Sequence, residues 1–337
     1  MDWFTLALIG VSVLAGVALG ISPLLWCLRR YSILDHPNER SSHDRPTPKG
    51  AGIVLIPTVV FAWIALSWLK FPGPSLSDTL LISMLALVLA TLSWIDDLKG
   101  LPAMFRLPIH IMVALLATQL LPDSPAIFNG FLNPYFEEAL IVLIWVWFIN
   151  LFNFMDGIDG ISAVETITVS LGLVSMGLIL PELANMVPFS LVLLSAAVGF
   201  VFWNWSPARI FLGDVGSAPL GFLLCWQLLL LAKSGQWGAA LILPGYYLAD
   251  ATLTLIKRGA RGEKVWLPHR EHFYQRASIG GASHQRVSFV VLISGLILAG
   301  LAILSSVGYP VFSLALTGVL IAGVLLYFSS RHPRAGL

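Results

Sequence analysis

The sequence predicts an all-α, polytopic integral membrane protein, one domain over residues 1–337, and three observations carry that prediction. Hydrophobic residues make up 57% of the 337 and charged residues only 11%. The charged share is less than half of the roughly 25% usual in soluble domains, which excludes a soluble enzyme. Apolar blocks of about 16 to 20 residues recur along the whole length, each long enough to cross a bilayer as a helix. Finally, all but Lys70 and Lys233 of the 19 lysines and arginines fall in alternate connections between those blocks.

In chain order the expected spans are about 3–25, 51–69, 79–95, 107–122, 138–153, 161–180, 188–203, 216–232, 238–256, 287–307 and 310–328, eleven in all. Met1 runs almost directly into an apolar segment with no basic n-region, so the first span is expected to be retained. The basic connections are expected in the cytoplasm with the C-terminus, which puts the N-terminus outside. The acidic Phe136–Glu138 and Glu182 then fall outside. No internal repeat or low-complexity linker divides the chain. The two cysteines, Cys27 and Cys225, read as buried thiols without disulfide or metal. A net charge of +1 gives no sign of nucleic acid, and none is expected as a partner.

The same threading places the polar motifs on one face. "SWIDDLKG" ends the third span and delivers Asp96, Asp97 and Lys99; "FNFMDGIDG" ends the fifth with Asn153, Asp156 and Asp159. "NWSPARIFLGDVGS" delivers Asn204, Arg209, Phe211 and Asp214 between spans seven and eight. "RGEKVWLPHREHFYQR" carries His269, Arg270, Glu271 and His272, and "HPNERSSHDRPTPKGAG" carries Arg40, Arg45, Thr47 and Lys49. Taken singly, each has a plain reading: a solvated helix cap, an Asx turn at Gly157 and Gly160, a solvated histidine pair, or basic residues near anionic lipid. Together they do not. Five aspartates beside apolar spans repel one another in a low dielectric and need a cation. Oxygen ligands without cysteine select a hard metal, Mg2+ foremost, with Mn2+ as its substitute. The surrounding lysines and arginines suit phosphate. Aspartates, Mg2+ and basic groups together describe phosphoryl transfer.

"IDDLKG", "NFMDGIDG" and "FLGDVGS", in this order and spacing, resemble the polyprenyl-phosphate N-acetylhexosamine-1-phosphate transferases, glycosyltransferase family 4. The phospho-N-acetylmuramoyl-pentapeptide transferases belong to the same family. The resemblance covers nearly the whole chain. It implies transfer of a sugar 1-phosphate from a UDP-N-acetylhexosamine to a polyprenyl phosphate such as undecaprenyl phosphate, with Mg2+, at the cytoplasmic face of the bacterial inner membrane. It also suggests a homodimer. Carried over by motif, the resemblance makes Asp96 and Asp97 the paired catalytic aspartates and Lys99 their lysine. Asn153, Asp156 and Asp159 fall on the nucleotide side, and Asp214 binds metal with Asp96 beside it. Phe211 stacks on uracil, Asn204 lies near the nucleotide, and Arg45, with Arg270 of the histidine loop, binds substrate. His269 and His272 form the histidine cluster. The peptidoglycan enzymes carry three histidines in a run, whereas this chain reads "HREHFYQR". That departure favours the branch that starts surface polysaccharides such as O-antigen.

The implied reaction is in-line attack of the lipid phosphate on the β-phosphorus with loss of UMP, Asp96 or Asp97 taking any remaining proton. A double displacement through an aspartyl-phosphate stays open. Gly157 and Gly160 are expected to let backbone approach the substrate closely. The rival class is a transporter, which should hold its charges near the midplane rather than at one face. A CDP-alcohol phosphatidyltransferase is a further rival, but "DGIDGIS" lacks the Ala-Arg of that pattern. Asp250 lies inside a span; pairing with Lys257 and Arg258, one or two turns on, is its expected role, with lining of the active site as the alternative.

Overall fold

The computed structural model describes residues 2–37, 45–122, 127, 132–265, 267 and 269–331. Arg40 and Arg334 lie outside the described residues. Helices dominate: α1 (Trp3–Arg30), α2 (Gly52–Trp68), α3 (Leu76–Lys99), α4 (Ala103–Thr118), α5 (Pro134–Met155), α6 (Ile161–Ile179), α7 (Val187–Asn204), α8 (Asp214–Leu231), α9 (Trp237–Ile242), α10 (Gly245–Ala260), α11 (Phe273–Ile279), α12 (His284–Ser306) and α13 (Pro310–Ser329). Among the described residues, eight helical stretches are long and apolar enough to cross a membrane, and α2 and α4 are shorter apolar helices. The fold is therefore an all-α, multi-pass membrane protein.

The span expected over 238–256 departs from that plan. It is broken into α9 and α10, with Pro244 as the residue before α10. Proline has no N–H to extend the ladder, and its ring collides with the preceding turn. Beyond the break the helix buries Tyr246, Tyr247, Asp250, Thr254 and Arg258 on one side, an amphipathic pattern in place of an apolar span.

Helix α8 is the axis of the bundle. Almost its whole length is buried, and it packs on α2, α3 and α5. A helix apolar all round belongs in such an interior. By contrast α1 and α13 bury little of themselves and present residues such as Trp3, Phe4, Val11, Leu19, Val311 and Leu326 outward. That surface suits lipid.

The polar ends are tied by backbone. A two-residue ladder pairs Leu34–Asp35 (β1) with Thr47–Pro48 (β2). Past it, the chain runs along Phe211 and Leu212: Phe211 N–H donates to Pro48 O at 2.8 Å, Gly50 and Ala51 N–H both donate to Phe211 O, and Gly52 N–H donates to Leu212 O. Gly52 lies so close to Gly216 that a Cβ on it would overlap the Gly216 backbone. Small residues let the ends of α2 and α8 meet without an intervening side chain.

Candidate active site

Three carboxylates converge where α3 ends and α8 begins. Asp96 and Asp97 occupy the last turn of α3, and Asp214 opens α8. Gly213 precedes α8 and offers no side-chain cap. Asp97 supplies one from across the bundle: its Oδ1 accepts Asp214 N–H at 3.1 Å and its Oδ2 accepts Val215 N–H at 2.9 Å. An anion at a helix N-terminus meets both the unpaired amides and the positive end of the dipole.

Two cations hold the cluster together. Lys49 Nζ lies 2.6 Å from Asp97 Oδ1 and 3.6 Å from Asp214 Oδ1. Arg106 of α4 lies 2.5 Å from Asp96 Oδ2 and 3.4 Å from Asp214 Oδ2. Asp96 Oδ1 also accepts Leu101 N–H at 2.6 Å. Asp214 is thus held by the longer contacts, and its side chain is 26% exposed against 8% for Asp96 and 3% for Asp97. It is the carboxylate with most freedom to take a new partner. Burial alone would lower the Lys49 ammonium's pKa; Asp214 and then Asp97 outweigh that and raise it above the usual lysine range. Lys49 therefore stays charged at any physiological pH.

The "MDGIDG" segment is a turn between α5 and α6, and its two aspartates part company. Asp156, half-buried at the end of α5, stays within the field of the cluster. Burial pushes its carboxyl up to about 8 against an opposing Ser162 hydrogen bond, and Asp214 adds to the rise. Asp159 turns toward the 206–208 loop and α12, accepting Ala208 N–H at 3.1 Å with His284 Nδ1 3.3 Å away. Burial opposes its charge, but His284 and the Ala208 N–H prevail and hold the carboxyl below its usual range. Asn204 is buried; its Oδ1 accepts Gly160 N–H at 2.9 Å and its Nδ2 donates to Ile210 O at 3.0 Å. Asn153 donates to Ser217 Oγ at 2.8 Å and also reaches Asp214. Gly157 makes room for something other than the expected ligand: a Cβ there would strike the Tyr274 hydroxyl. Gly160 takes φ +81° at the start of α6.

The histidine segment packs beside this turn. Tyr274 OH donates to Phe154 O at 2.9 Å, and the His272 ring lies between those of Phe154 and Tyr274, centroids 6.4 and 5.8 Å away. His269 stands 4.7 Å from His272, ring to ring. Burial, then His272 and Arg258, push the His269 pKa down to about 4, so its imidazole is neutral near pH 7. Asp250 corrects an expectation: it pairs with neither Lys257 nor Arg258. Arg258 turns to Glu263 (2.8 Å) and Glu271 (3.2 Å), and Arg261 bonds both of those glutamates too. Lys257 lies over the Phe273 ring. Asp250 instead receives His272 and the first two amides of α11.

Of the other residues singled out, Phe211 joins the site through its backbone and is half-buried, Arg270 is half-buried next to His269, and Arg45 is exposed. Lys99 is exposed and forms no ion pair among the described residues. Lys49 and Arg106 are the cations that the aspartates engage; the sequence reading placed Lys49 on the polar face without naming its partners and used Arg106 only for topology. No group of three or more His, Cys, Asp or Glu forms a ready metal cage among the described residues.

Known proteins share sequence with the segment that holds these residues. Residues 79–232 match the sequence profile described as "Glycosyl transferase family 4". Among curated proteins, the chain is 27% identical over 279 residues to a protein of Bacillus subtilis named "Probable undecaprenyl-phosphate N-acetylglucosaminyl 1-phosphate transferase", covering 78% of this chain and 75% of that one. It is 27% identical over 252 residues to the phospho-N-acetylmuramoyl-pentapeptide-transferase of Deinococcus radiodurans, covering 67% and 76%. It is 25% identical over 324 residues to the decaprenyl-phosphate N-acetylglucosaminephosphotransferase of Mycobacterium tuberculosis, covering 86% and 79%. Asp96, Asp97, Asp156 and Asp214 all fall inside the matched segment, which is similar to glycosyl transferase family 4.

Proposed function

We propose that this chain transfers an N-acetylhexosamine 1-phosphate from a UDP-sugar to undecaprenyl phosphate or a similar polyprenyl phosphate, releasing UMP. The bridging of Asp96, Asp97 and Asp214 by Lys49 and Arg106 carries the reading. It is a cluster of three carboxylates and two cations at one end of a membrane bundle, whose cations can exchange carboxylate for phosphate oxygens. The cluster would face the cytoplasm of a bacterial inner membrane, with the basic loops around it. The departure of "HREHFYQR" from a triple histidine supports a role in starting a surface polysaccharide such as O-antigen.

The donors suit Mg2+, or Mn2+ in its place: all are oxygens, and among the described residues no three form a ready cage, which suits an ion that binds through one or two carboxylates and takes substrate phosphates for the rest. Asp214, with Asp96 beside it, would hold the ion, which when bound offsets the charge of the diphosphate. Lys49 and Arg106 would turn to the phosphates as the ligand arrives, with Arg45, Lys99 and Arg270 on the approach. Asn153, Asp156 and Phe211 would line the nucleotide side, and Asp159 and Asn204 would brace it from behind. His269 and His272 would meet the diphosphate or the sugar. The lipid phosphate attacks the β-phosphorus, the bond to the α-phosphate oxygen breaks, and UMP leaves. A phosphate whose second pKa is about 6 needs little base, so Asp96 or Asp97 has at most one proton to accept.

The test is turnover by the purified protein of a panel of UDP-N-acetylhexosamines with undecaprenyl phosphate. UMP and a lipid diphosphate sugar are the expected products. Release of UDP, or no turnover of any member of the panel, would overturn the proposal.

A further inference from the structure

Asp250 is fully buried in α10 and collects an unusual number of donors. Its Oδ1 accepts Phe273 N–H at 2.9 Å and faces His272 Nδ1 at 3.3 Å; its Oδ2 accepts Tyr274 N–H at 3.1 Å and the Tyr246 hydroxyl at 2.8 Å. The Thr254 hydroxyl lies 3.4 Å from Oδ1. Helices α5 and α12 are capped by a neighbouring neutral side chain, Asn133 and Ser283, whereas α11, like α8 with Asp97, takes a distant carboxylate. The residue before α11 is His272, which offers no cap, and the cap arrives from 23 residues earlier as a charged group. A buried carboxylate is costly unless every lone pair is used, and neither nearby cation compensates this one. Donors meet both oxygens, which suits a group that only accepts, and among them the imidazole is the one whose proton can sit on either nitrogen.

We infer that Asp250 is the positioning residue of the histidine loop: it takes the Nδ1–H of His272 and so fixes Nε2 as the ring's acceptor. A carboxylate accepts only, so the neutral ring must carry its proton on the facing nitrogen. Rotation is blocked as well, because the ring is 2% exposed and packed between Phe154 and Tyr274. One carboxylate thus sets the start of α11 and the tautomer of the residue before it. The same logic governs imidazoles held by a carboxylate in metal and catalytic sites. The tautomer stands on geometry alone; its effect on turnover rests on the transferase reading.

Two experiments test this. In protein labelled with 15N-histidine and reconstituted in lipid, with His272→Gln to assign the signal, His272 should show a protonated Nδ1 and a bare Nε2. The opposite tautomer would overturn the inference, whatever the protein's activity. In turnover assays, Asp250→Asn should lower kcat by about a hundredfold or more, with KM for the UDP-sugar changed less than about threefold. The amide supplies a donor where the carboxylate had none, which favours the inverted ring. In a His272→Gln background the same change should cost less than about twofold. Equal losses in both backgrounds would make Asp250 a helix cap and nothing more. If Asp250→Asn does not fold, the NMR result decides. Absence of UMP release by the unaltered protein would count against the transferase reading and leave the tautomer result standing.

Discussion

The corner built from Asp96, Asp97 and Asp214 and the corner built from Asp250 and His272 both bury carboxylates, yet they satisfy them with different partners. In the first, two long cationic side chains, each about 30% exposed, span three acids drawn from two helices. In the second, backbone amides, a phenol and an imidazole close around one acid with no exposure. Long charged side chains at a half-open surface exchange partners readily; backbone amides do not. The difference separates a place that can receive a charged ligand from a place that holds a shape.

Substitutions can break that distinction. The largest effect is expected from Asp214→Asn, which removes the most available carboxylate. UMP release should fall by about three orders of magnitude, with the thermal midpoint in detergent unchanged or higher, since one of three crowded charges is gone. Retention of a tenth of the activity would move the ion to another ligand. Next comes a contrast of lysines. Lys49→Met leaves Asp97 and Asp214 facing each other without their cation, so the midpoint should drop by about 5 °C and kcat by about ten- to a hundredfold. Lys99 has no ion pair among the described residues, so in Lys99→Ala the KM for the UDP-sugar should rise about threefold to tenfold at an unchanged midpoint. Identical behaviour of the two variants would remove the case for separate roles.

The smallest effect belongs to the histidine corner and depends on pH. Free histidine titrates near 6.5, whereas His269 is pushed down to about 4. Between these values the unfolded loop binds a proton that the folded loop refuses, so local stability should fall as pH drops from about 6.5 toward 4 and be insensitive to this group above 7. Hydrogen exchange of the amides around 269–279 should quicken over that window, and His269→Gln should flatten the response. An equally steep response in the variant would place the titrating group elsewhere.

Much of the first corner was legible in the sequence, because motifs such as "IDDLKG" and "FLGD" set acids beside helix ends and apolar spans. Its cations were not. Lys49 meets Asp97 and Asp214, and Arg106 meets Asp214, across separations that leave no periodic trace. The only local hints were the glycines after Lys49 and the position of Arg106 at the start of a span. For the broken ninth span the signal was present as Pro244, but the hydropathy of the block outweighed it. Asp250 misled through spacing: Lys257 and Arg258 are both about two turns away, but Arg258 is claimed by glutamates on the chain's return after Gly262, and Lys257 by an aromatic ring. Spacing on one helix is silent about partners that arrive from outside it.

The contact of Gly52 with Gly216 has a mechanical consequence. Where two helices meet through side chains, rotamers can shift and let one slide on the other. Here backbone meets backbone, with the strand-like run of 48–52 hydrogen-bonded alongside, and there is no soft layer to yield. The ends of α2 and α8 must therefore travel as one body, and Lys49 and Asp214 with them. Any opening or closing of the pocket around a ligand has to come from its other walls: the ends of α3 and α4, which carry Asp96 and Arg106, or the loop of His269 and His272.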